Sequence, residues 1–328
     1  MVTKTKAIRF SQTGGPDVLE HVTVKLPSLK PGEILVRNRS IGVNYIDTYH
    51  RSGLYPLSLP SGLGMEAAGF VEKVGPNVTN FSQGDRVAYC NSELGAYSEY
   101  HVVTADKLIS LPESISFDLA AAVLVKGLTA HMLLKKVHAV KPGETILFHA
   151  AAGGVGLIAT QWAKHLGASV IGVVGSEEKV ALALANGCEH VILSRTESIS
   201  ERVREITNGK GVPVVYDSVG KDTFEDSLDS LAPLGLLVSF GNASGPPPPF
   251  SLSELMLRGS LFATRPIFAT YVRTPELLQE AALDLFKTIS IGAIKITINE
   301  KVSLKNAEDA HRSLESRKTK GATILIPD

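Results

Sequence analysis

One stretch constrains this chain more than any other. Glu144-Thr-Ile-Leu-Phe-His-Ala-Ala-Ala-Gly-Gly-Val-Gly156 joins a short apolar strand to a glycine turn, and residues 157–165 continue at helical spacing. Such a turn presents backbone N–H groups at a helix N-terminus, where the dipole favours anions and a missing Cβ lets a diphosphate approach. Gly153, Gly154 and Gly156, with Val155 among them, remove those Cβ atoms. Ala151, Gly153 and Gly156 fill the three fingerprint positions, so the first is alanine and the letters alone are a weak signal. The setting strengthens it. Residues 168–174 form a second, continuously apolar strand of the kind found in a parallel sheet covered on both faces, and residues 177–186 read as the next helix. A βαβ unit that binds a dinucleotide is expected rather than a packing turn without ligand.

The end of the second strand argues for the cofactor's identity. NAD sites place an acid there for the ribose hydroxyls, whereas the extra phosphate of NADP needs room and positive charge. Here the strand ends in Val174-Gly175-Ser176, with Lys179 one step into the helix. Gly175 brings no carboxylate, Ser176 can donate a hydrogen bond, and Lys179 supplies a point charge, although Glu177 and Glu178 sit beside it. NADPH is favoured over NADH.

The remaining text limits what surrounds this unit. The 328 residues suffice for two domains, and 44% apolar with 20% charged residues describes a globular protein with a substantial core. Lys plus Arg equals Asp plus Glu, so no global field favours nucleic acid or an anionic membrane. No basic-apolar leader opens the chain and no apolar run approaches bilayer length, which points to the cytoplasm. Cys90 and Cys188 lie far apart without ligand spacing and read as buried thiols.

Before the glycine turn, short β-like segments at 6–10, 33–43, 66–74, 85–89 and 97–103 are punctuated by Gly and Pro turns, as in a compact, mainly antiparallel barrel. Residues 117–140 switch to helical spacing. Strands near 212–216 and 234–240 then alternate with helices near 198–207 and 222–231, giving a doubly wound sheet. Pro246–Pro249 can only be a stiff loop. After it come a strand near 260–264, a helix over 275–291, a strand near 294–301, a helix over 304–316 and a last strand at 322–326. The fold class is therefore α/β: a β-rich first part over 1–125, a Rossmann doubly wound parallel-sheet domain over 126–264, and a return to the first domain over 265–328. The site is expected between the two.

Several stretches in order identify a family. The segments Asn44-Tyr-Ile-Asp-Thr-Tyr-His-Arg-Ser-Gly-Leu-Tyr-Pro56, Pro60-Ser-Gly-Leu-Gly-Met-Glu-Ala-Ala-Gly69, Leu94-Gly-Ala-Tyr-Ser98, Tyr216-Asp-Ser-Val-Gly220, Val238-Ser-Phe-Gly-Asn242 and Leu314-Glu-Ser-Arg317, with the glycine turn, resemble the zinc-free, zeta-crystallin-like quinone oxidoreductases of the medium-chain dehydrogenase/reductase superfamily. The resemblance covers essentially the whole chain and implies a GroES-like catalytic domain beside the Rossmann domain. It implies that the segment Tyr45, Ile46, Asp47, Thr48 and Tyr49 borders the nicotinamide, with Asn44 and Tyr55 nearby. Ser218, Phe240, Gly241 and Asn242 would lie along the nucleotide, and Arg317 would bind it from the tail. Where the family places a tyrosine beside the adenosine, this chain has Ser194.

The zinc-dependent relatives carry Gly-His-Glu where this chain has Gly64-Met65-Glu66, and a cysteine near Asn44; a thioether and an amide do not replace imidazole and thiolate. No metal is expected, and Glu66 is expected to pair with a basic residue. A quinone is already electron-poor and needs no Lewis acid. The resemblance thus implies hydride transfer from NADPH to a quinone, with Asn44, Asp47, Tyr49 and Tyr55 as catalytic candidates, in a homodimer. The rivals are reduction of enones or alkenals on the same fold, and a non-enzymic cofactor-binding or RNA-binding role.

Overall fold

The computed structural model describes residues 2–316, 319 and 321–327. The chain forms two units: Met1–Lys126 with Val272–Phe286 and Ile296–Asp328, and Gly127–Tyr271 with Lys287–Lys295.

The first unit opens with β1 (Lys4–Phe10), β2 (Glu20–Lys25), β3 (Glu33–Gly42), α1 (Tyr45–Ser52) and β4 (Ser61–Gly62). It continues through β5 (Ala67–Val74), β6 (Arg86–Tyr89), β7 (Tyr100–Thr104) and β8 (Leu108–Ser110). The apolar positions of these strands converge on one core containing Ile8, Phe10, Ile34, Val36, Val71, Val87 and Leu108. β2, β1 and β4 form a small antiparallel sheet. The β2 strand was not expected from the sequence, because its half-buried residues give it no apolar face.

Helix α2 (Phe117–His131) carries the chain out of the first unit, and its helical path continues as a π-turn over Met132–Val137. This overturns the expectation that no segment approaches bilayer length. The 21 residues of Phe117–Val137 are long and apolar enough by composition, and 72% of their most apolar window is buried within protein. Their hydrophobicity is thus largely spent on protein packing.

The second unit is a six-stranded sheet in which every neighbouring pair is parallel. It contains β9 (Thr145–His149), α3 (Gly154–His165), β10 (Ser169–Val174), α4 (Val180–Ala185), β11 (His190–Leu193), α5 (Ile199–Ile206), β12 (Val212–Asp217), α6 (Phe224–Asp229), β13 (Leu231–Ser239), α7 (Leu252–Leu257), β14 (Phe262–Thr264) and α8 (Phe268–Tyr271). The strand order is β11-β10-β9-β12-β13-β14. The order reverses between β9 and β12, which is where a ligand crevice opens at the carboxyl ends of such sheets.

The tail supplies α9 (Pro275–Ser290), β15 (Ile298–Ser303), α10 (Ala307–Glu315) and β16 (Ala322–Ile326). β16 joins β3 antiparallel, extending the first unit's larger sheet to β15-β16-β3-β5-β6-β8, with β7 also paired to β3. Its one parallel pair, β15 with β16, departs from the mainly antiparallel pattern because α10 crosses between the two strands.

Gly156 shows why the turn needs glycine. A Cβ there would stand 2.4 Å from the Ala150 carbonyl oxygen and 2.6 Å from that of Ala151. Its function is the close approach of α3 to the end of β9. Gly156→Ala should destabilise the fold by about 1–3 kcal/mol, read as a lowered denaturant midpoint; an unchanged midpoint would contradict this packing role.

Candidate functional site

The predicted residues fall into two groups, one in each unit. In the first, Asn44 caps α1 and the Asp47 carboxylate reaches back to it, Asn44 N donating to Asp47 Oδ2 at 2.8 Å. This is the reciprocal half of a capping box, with the acid at the third helical position. The helix ends at Gly53 in the left-handed region, φ 83°. Thr48 Oγ1 donates to the Tyr45 carbonyl at 2.7 Å. The Tyr49 ring meets Tyr45 edge-on at 5.6 Å and Tyr55 at 5.2 Å, and Tyr55 N donates to the Tyr49 carbonyl. Tyr45, Ile46 and Tyr55 are half-buried, whereas Asn44, Asp47, Thr48 and Tyr49 are buried. One short helix with its N-cap therefore carries all the expected residues of this group except Tyr55, which follows the helix and packs on Tyr49.

Asn44 links three buried ionisable groups. Its backbone serves Asp47, its Nδ2 donates to Glu66 Oε2 at 2.6 Å, and its Oδ1 accepts from Lys126 Nζ at 2.9 Å. Lys126 also donates to the Val43 carbonyl, and Val125 N donates to Glu66 Oε1 at 2.6 Å. The basic partner expected for Glu66 is thus Lys126, whose positive charge opposes the rise that burial imposes on Glu66. Burial in turn pushes Lys126 down, against the attraction of Glu66 and Asp47.

Behind Asp47 runs a second chain. Tyr97 OH donates to Asp47 Oδ2 at 2.9 Å and stands 3.2 Å from His311 Nε2; Arg51 Nη1 lies 2.9 Å from His311 Nδ1 and Arg51 Nη2 2.5 Å from Glu315 Oε1. Arginine only donates, so His311 accepts at Nδ1 and its Nε2–H points to the Tyr97 oxygen. Burial and the Arg51 charge push His311 down to about 3, which keeps that ring neutral.

Burial raises Asp47 from 3.8 to about 7, against the hydrogen bonds from Asn44 and Tyr97. The folded state therefore holds this proton more tightly than the unfolded chain does. The associated stability is fully present below the ordinary aspartate value and is lost as pH rises through about 7. Across that window the Asp47 contribution should fall by up to about 1.4 kcal/mol per pH unit. Asp47→Asn, which keeps an oxygen acceptor but has no proton to lose, should flatten that limb in denaturant unfolding measured from pH 5 to 8. An unaltered slope would contradict the assignment.

The second group lies along the carboxyl edge of the parallel sheet. Gly153 is the N-cap of α3 and makes no side-chain cap, so the first-turn N–H groups that include Gly154, Val155 and Gly156 face outward without a capping side chain. At the end of β10, Gly175 is exposed, and a Cβ there would meet no atom within 4 Å. Ser176 precedes the single turn that ends at Lys179, and Lys179 N donates to the Ser176 carbonyl. Ser194 follows β11 and its N and Oγ both donate to the Val174 carbonyl, at 3.0 and 3.3 Å, placing it beside the Gly175 end. Ser218 follows β12, and Phe240-Gly241-Asn242 follows β13. A Cβ on Gly241 would come within 2.5 Å of the Ser218 carbonyl, so these two loops touch. Phe240 packs on Phe148, ring centroids 5.8 Å apart. Arg317 lies outside the described residues. An uncapped helix end, an open strand end without an acid, and a lysine one turn away fit a phosphorylated dinucleotide.

Sequence reasoning did not single out Tyr97, Arg51, His311 or Lys126. Lys126 had a signal, as a charge inside the apolar run Leu119-Ala-Ala-Ala-Val-Leu-Val-Lys126. It also missed the support beneath the second group. Asp217 accepts from Val219 N, Gly220 N, Thr223 Oγ1 and Ser227 Oγ, holding the turn that carries Ser218. Burial acts to raise Asp217, but His149 and these donors outweigh it and hold the carboxyl low. Ser227 spends its proton on Asp217, so His149 Nε2, 3.0 Å away, donates to the serine oxygen. Among the described residues no group of three His, Cys, Asp or Glu side chains converges as a metal site.

Comparison with known proteins agrees with both halves. Residues 30–113 match the family described as "Alcohol dehydrogenase GroES-like domain", and residues 154–287 the family described as "Zinc-binding dehydrogenase". The quinone oxidoreductase of Pseudomonas aeruginosa is 54% identical over 323 residues, covering 98% of this chain and 99% of the relative. The solved quinone oxidoreductase of Pseudomonas syringae superposes with a TM-score of 0.97 at 52% identity, covering 98% of this chain and all of that one. That of Escherichia coli, solved with NADPH, superposes at 0.95 with 53% identity and the same coverage. With its GroES-like and parallel-sheet units, and this likeness along nearly its full length, the chain belongs to the quinone oxidoreductase family of the medium-chain dehydrogenase/reductases.

Proposed function

We propose that this chain reduces quinones with NADPH as the electron donor and without zinc. The observation that carries the reading is the full-length likeness to quinone oxidoreductases at more than half identity, one of them solved with NADPH. It favours quinones over the enone and RNA-binding readings. The residues present fit the cofactor: Gly153 to Gly156 would hold the pyrophosphate at the uncapped start of α3, and Gly175, Ser176 and Lys179 would take the adenosine phosphate beside Ser194. Ser218 and Phe240 to Asn242 would line the nucleotide. When bound, the nicotinamide supplies hydride to an electron-poor acceptor. The chain's part is to position and to exclude water. Tyr49 and Tyr55, locked edge-on, would orient the acceptor ring, with Tyr45, Ile46 and Thr48 beside the cofactor and Asn44 presenting a polar atom.

The two units differ from the expected bounds in the tail, where residues 265–271 and 287–295 fall with the parallel sheet: Met1–Lys126 with Val272–Phe286 and Ile296–Asp328 would form the catalytic domain, and Gly127–Tyr271 with Lys287–Lys295 the cofactor domain. A cytoplasmic homodimer is the proposed state. Its support is the apolar surface near the edge strand β14, where Phe262 is 59% exposed and Met256 and Leu257 are 63% and 75% exposed. Light scattering at the mass of a monomer would remove the dimer.

The test is NADPH consumption against ortho-quinones, para-quinones and enones. Quinone-dependent turnover favouring NADPH over NADH is expected. Turnover with enones alone, or equal efficiency with both coenzymes, would overturn the reading.

A further inference from the structure

The cluster around Asn44 contains two fully buried carboxyl groups, Asp47 and Glu66, and one buried ammonium, Lys126. Two negative charges against one positive charge leave a net buried charge, which is strongly disfavoured in a low-dielectric interior, so one acid must hold a proton. The hydrogen bonds decide which. Both Glu66 oxygens receive donors, Oε1 from Val125 N and Oε2 from Asn44 Nδ2, and Lys126 is the nearby positive charge. That is the environment of an ionised carboxylate. Asp47 is lopsided: Oδ2 accepts from both Asn44 N and Tyr97 OH, while Oδ1 is buried without a hydrogen-bond partner among the described residues. Because both partners donate to Oδ2, the proton of a neutral Asp47 sits on Oδ1. An unpartnered buried hydroxyl costs less than an unpartnered oxygen of a buried carboxylate.

The groups facing Asp47 fix this pattern from every side. Asn44 and Arg51 come from the ends of α1, Glu66 from the approach to β5, Lys126 from α2, Tyr97 from the segment before β7, and His311 from α10. Because Arg51 fills His311 Nδ1 and His311 Nε2–H points at the Tyr97 oxygen, the Tyr97 proton is committed to Asp47 Oδ2. The Arg51 guanidinium carries no acceptor atom and holds its own protons, so this chain is a clamp and not a proton wire.

We propose that Asp47 serves the site as a neutral carboxylic acid, a positioning residue that holds Asn44 between Glu66 and Lys126, and that its ionisation pulls Lys126 off Asn44 and switches the site off at alkaline pH. This rests on the quinone reductase reading and names how that site is regulated. It also separates Asp47 from any proton-donor role: the acid acts through Asn44, and its proton stays in place during turnover.

The experiment follows the Asp47 carboxyl by carbon NMR in cofactor-free protein labelled at aspartate, with the resonance assigned by its loss in Asp47→Asn. The same proteins are assayed for NADPH-dependent quinone reduction across pH. Asp47 should titrate well above ordinary aspartates, and kcat/KM should fall on the alkaline side at the same midpoint. Tyr97→Phe removes a hydrogen bond to the carboxylate, so both midpoints should move to higher pH together. Asp47→Asn should lose less than about tenfold in kcat/KM at pH 6 and lack the alkaline limb, whereas Asp47→Leu, which strands the Asn44 and Tyr97 donors, should lose about 100-fold. Circular dichroism and unfolding midpoints at pH 6 confirm that each variant is folded. A folded Asp47→Asn inactive at every pH would overturn the proposal, as would an Asp47 already ionised at pH 5. If the wild type reduces no quinone, the function reading fails, while the NMR titration still judges the neutral acid on its own.

Discussion

Replacing Gly175 with aspartate should turn the coenzyme preference from NADPH towards NADH. The strand end at Gly175 is exposed and leaves at least 4 Å clear around the new Cβ, so the side chain enters without strain. A carboxylate there would offer hydrogen bonds to ribose hydroxyls and stand against the extra phosphate that Ser176 and Lys179 would otherwise hold. Two like charges about 4 Å apart near a protein surface repel by about 4 kcal/mol at most; with solvent screening, about 2–3 kcal/mol is expected, lowering kcat/KM for NADPH by roughly 30–150-fold. The efficiency with NADH should rise at the same time. Lys179→Ala should weaken NADPH alone, and by less, because it removes one screened attraction and adds no repulsion. Unchanged kcat/KM for NADPH in the Gly175→Asp protein would show that the adenosine phosphate lies elsewhere.

The parts of the molecule legible in the sequence are those whose physics is local. The parallel sheet announces itself because β9, β10 and β12 are buried on both faces and read as unbroken apolar runs, with turn glycines between them. The helix Phe117–Val137 was underestimated because Lys126, His131, Lys135 and Lys136 interrupt the linear run; Lys126 and His131 are buried, where partners rather than water satisfy them. For the site, the residues of α1 came from the family resemblance; the cap of Asn44 with Asp47, three residues apart, is local but was not read from the spacing. The rest was not. Arg51 meets His311 across 260 residues of sequence, and Tyr97 meets Asp47 across 50. No periodicity encodes such pairs; they depend on the chain's return, in which β16 closes onto β3 and α10 packs into the first unit's core. The orientation of Asn44 between an acid and an ammonium is likewise a product of three separate elements.

Glu66→Gln should be the most destabilising of the conservative changes in this cluster, by about 3 kcal/mol at pH 7, because it removes the counter-charge of a buried ammonium. It also sets an amide against an amide: the glutamine oxygen can satisfy Val125 N, but its NH2 then faces Asn44 Nδ2. The charge count says how the protein would respond. With Glu66 neutral, Asp47 is the remaining acid beside Lys126, and losing the Glu66 charge lowers its pKa, so Asp47 gives up its proton and takes over as counter-ion. That relief is available only while residue 47 can ionise. Asp47→Asn alone should cost little at pH 6, whereas Asp47→Asn combined with Glu66→Gln should exceed the sum of the single changes by about 1–2 kcal/mol. Adding Lys126→Met to the double variant removes the stranded charge and should recover part of the loss. Denaturant unfolding of the four proteins at one pH measures the coupling. Simple additivity would mean that the two acids do not share Lys126, and the neutral Asp47 would then lose its cause.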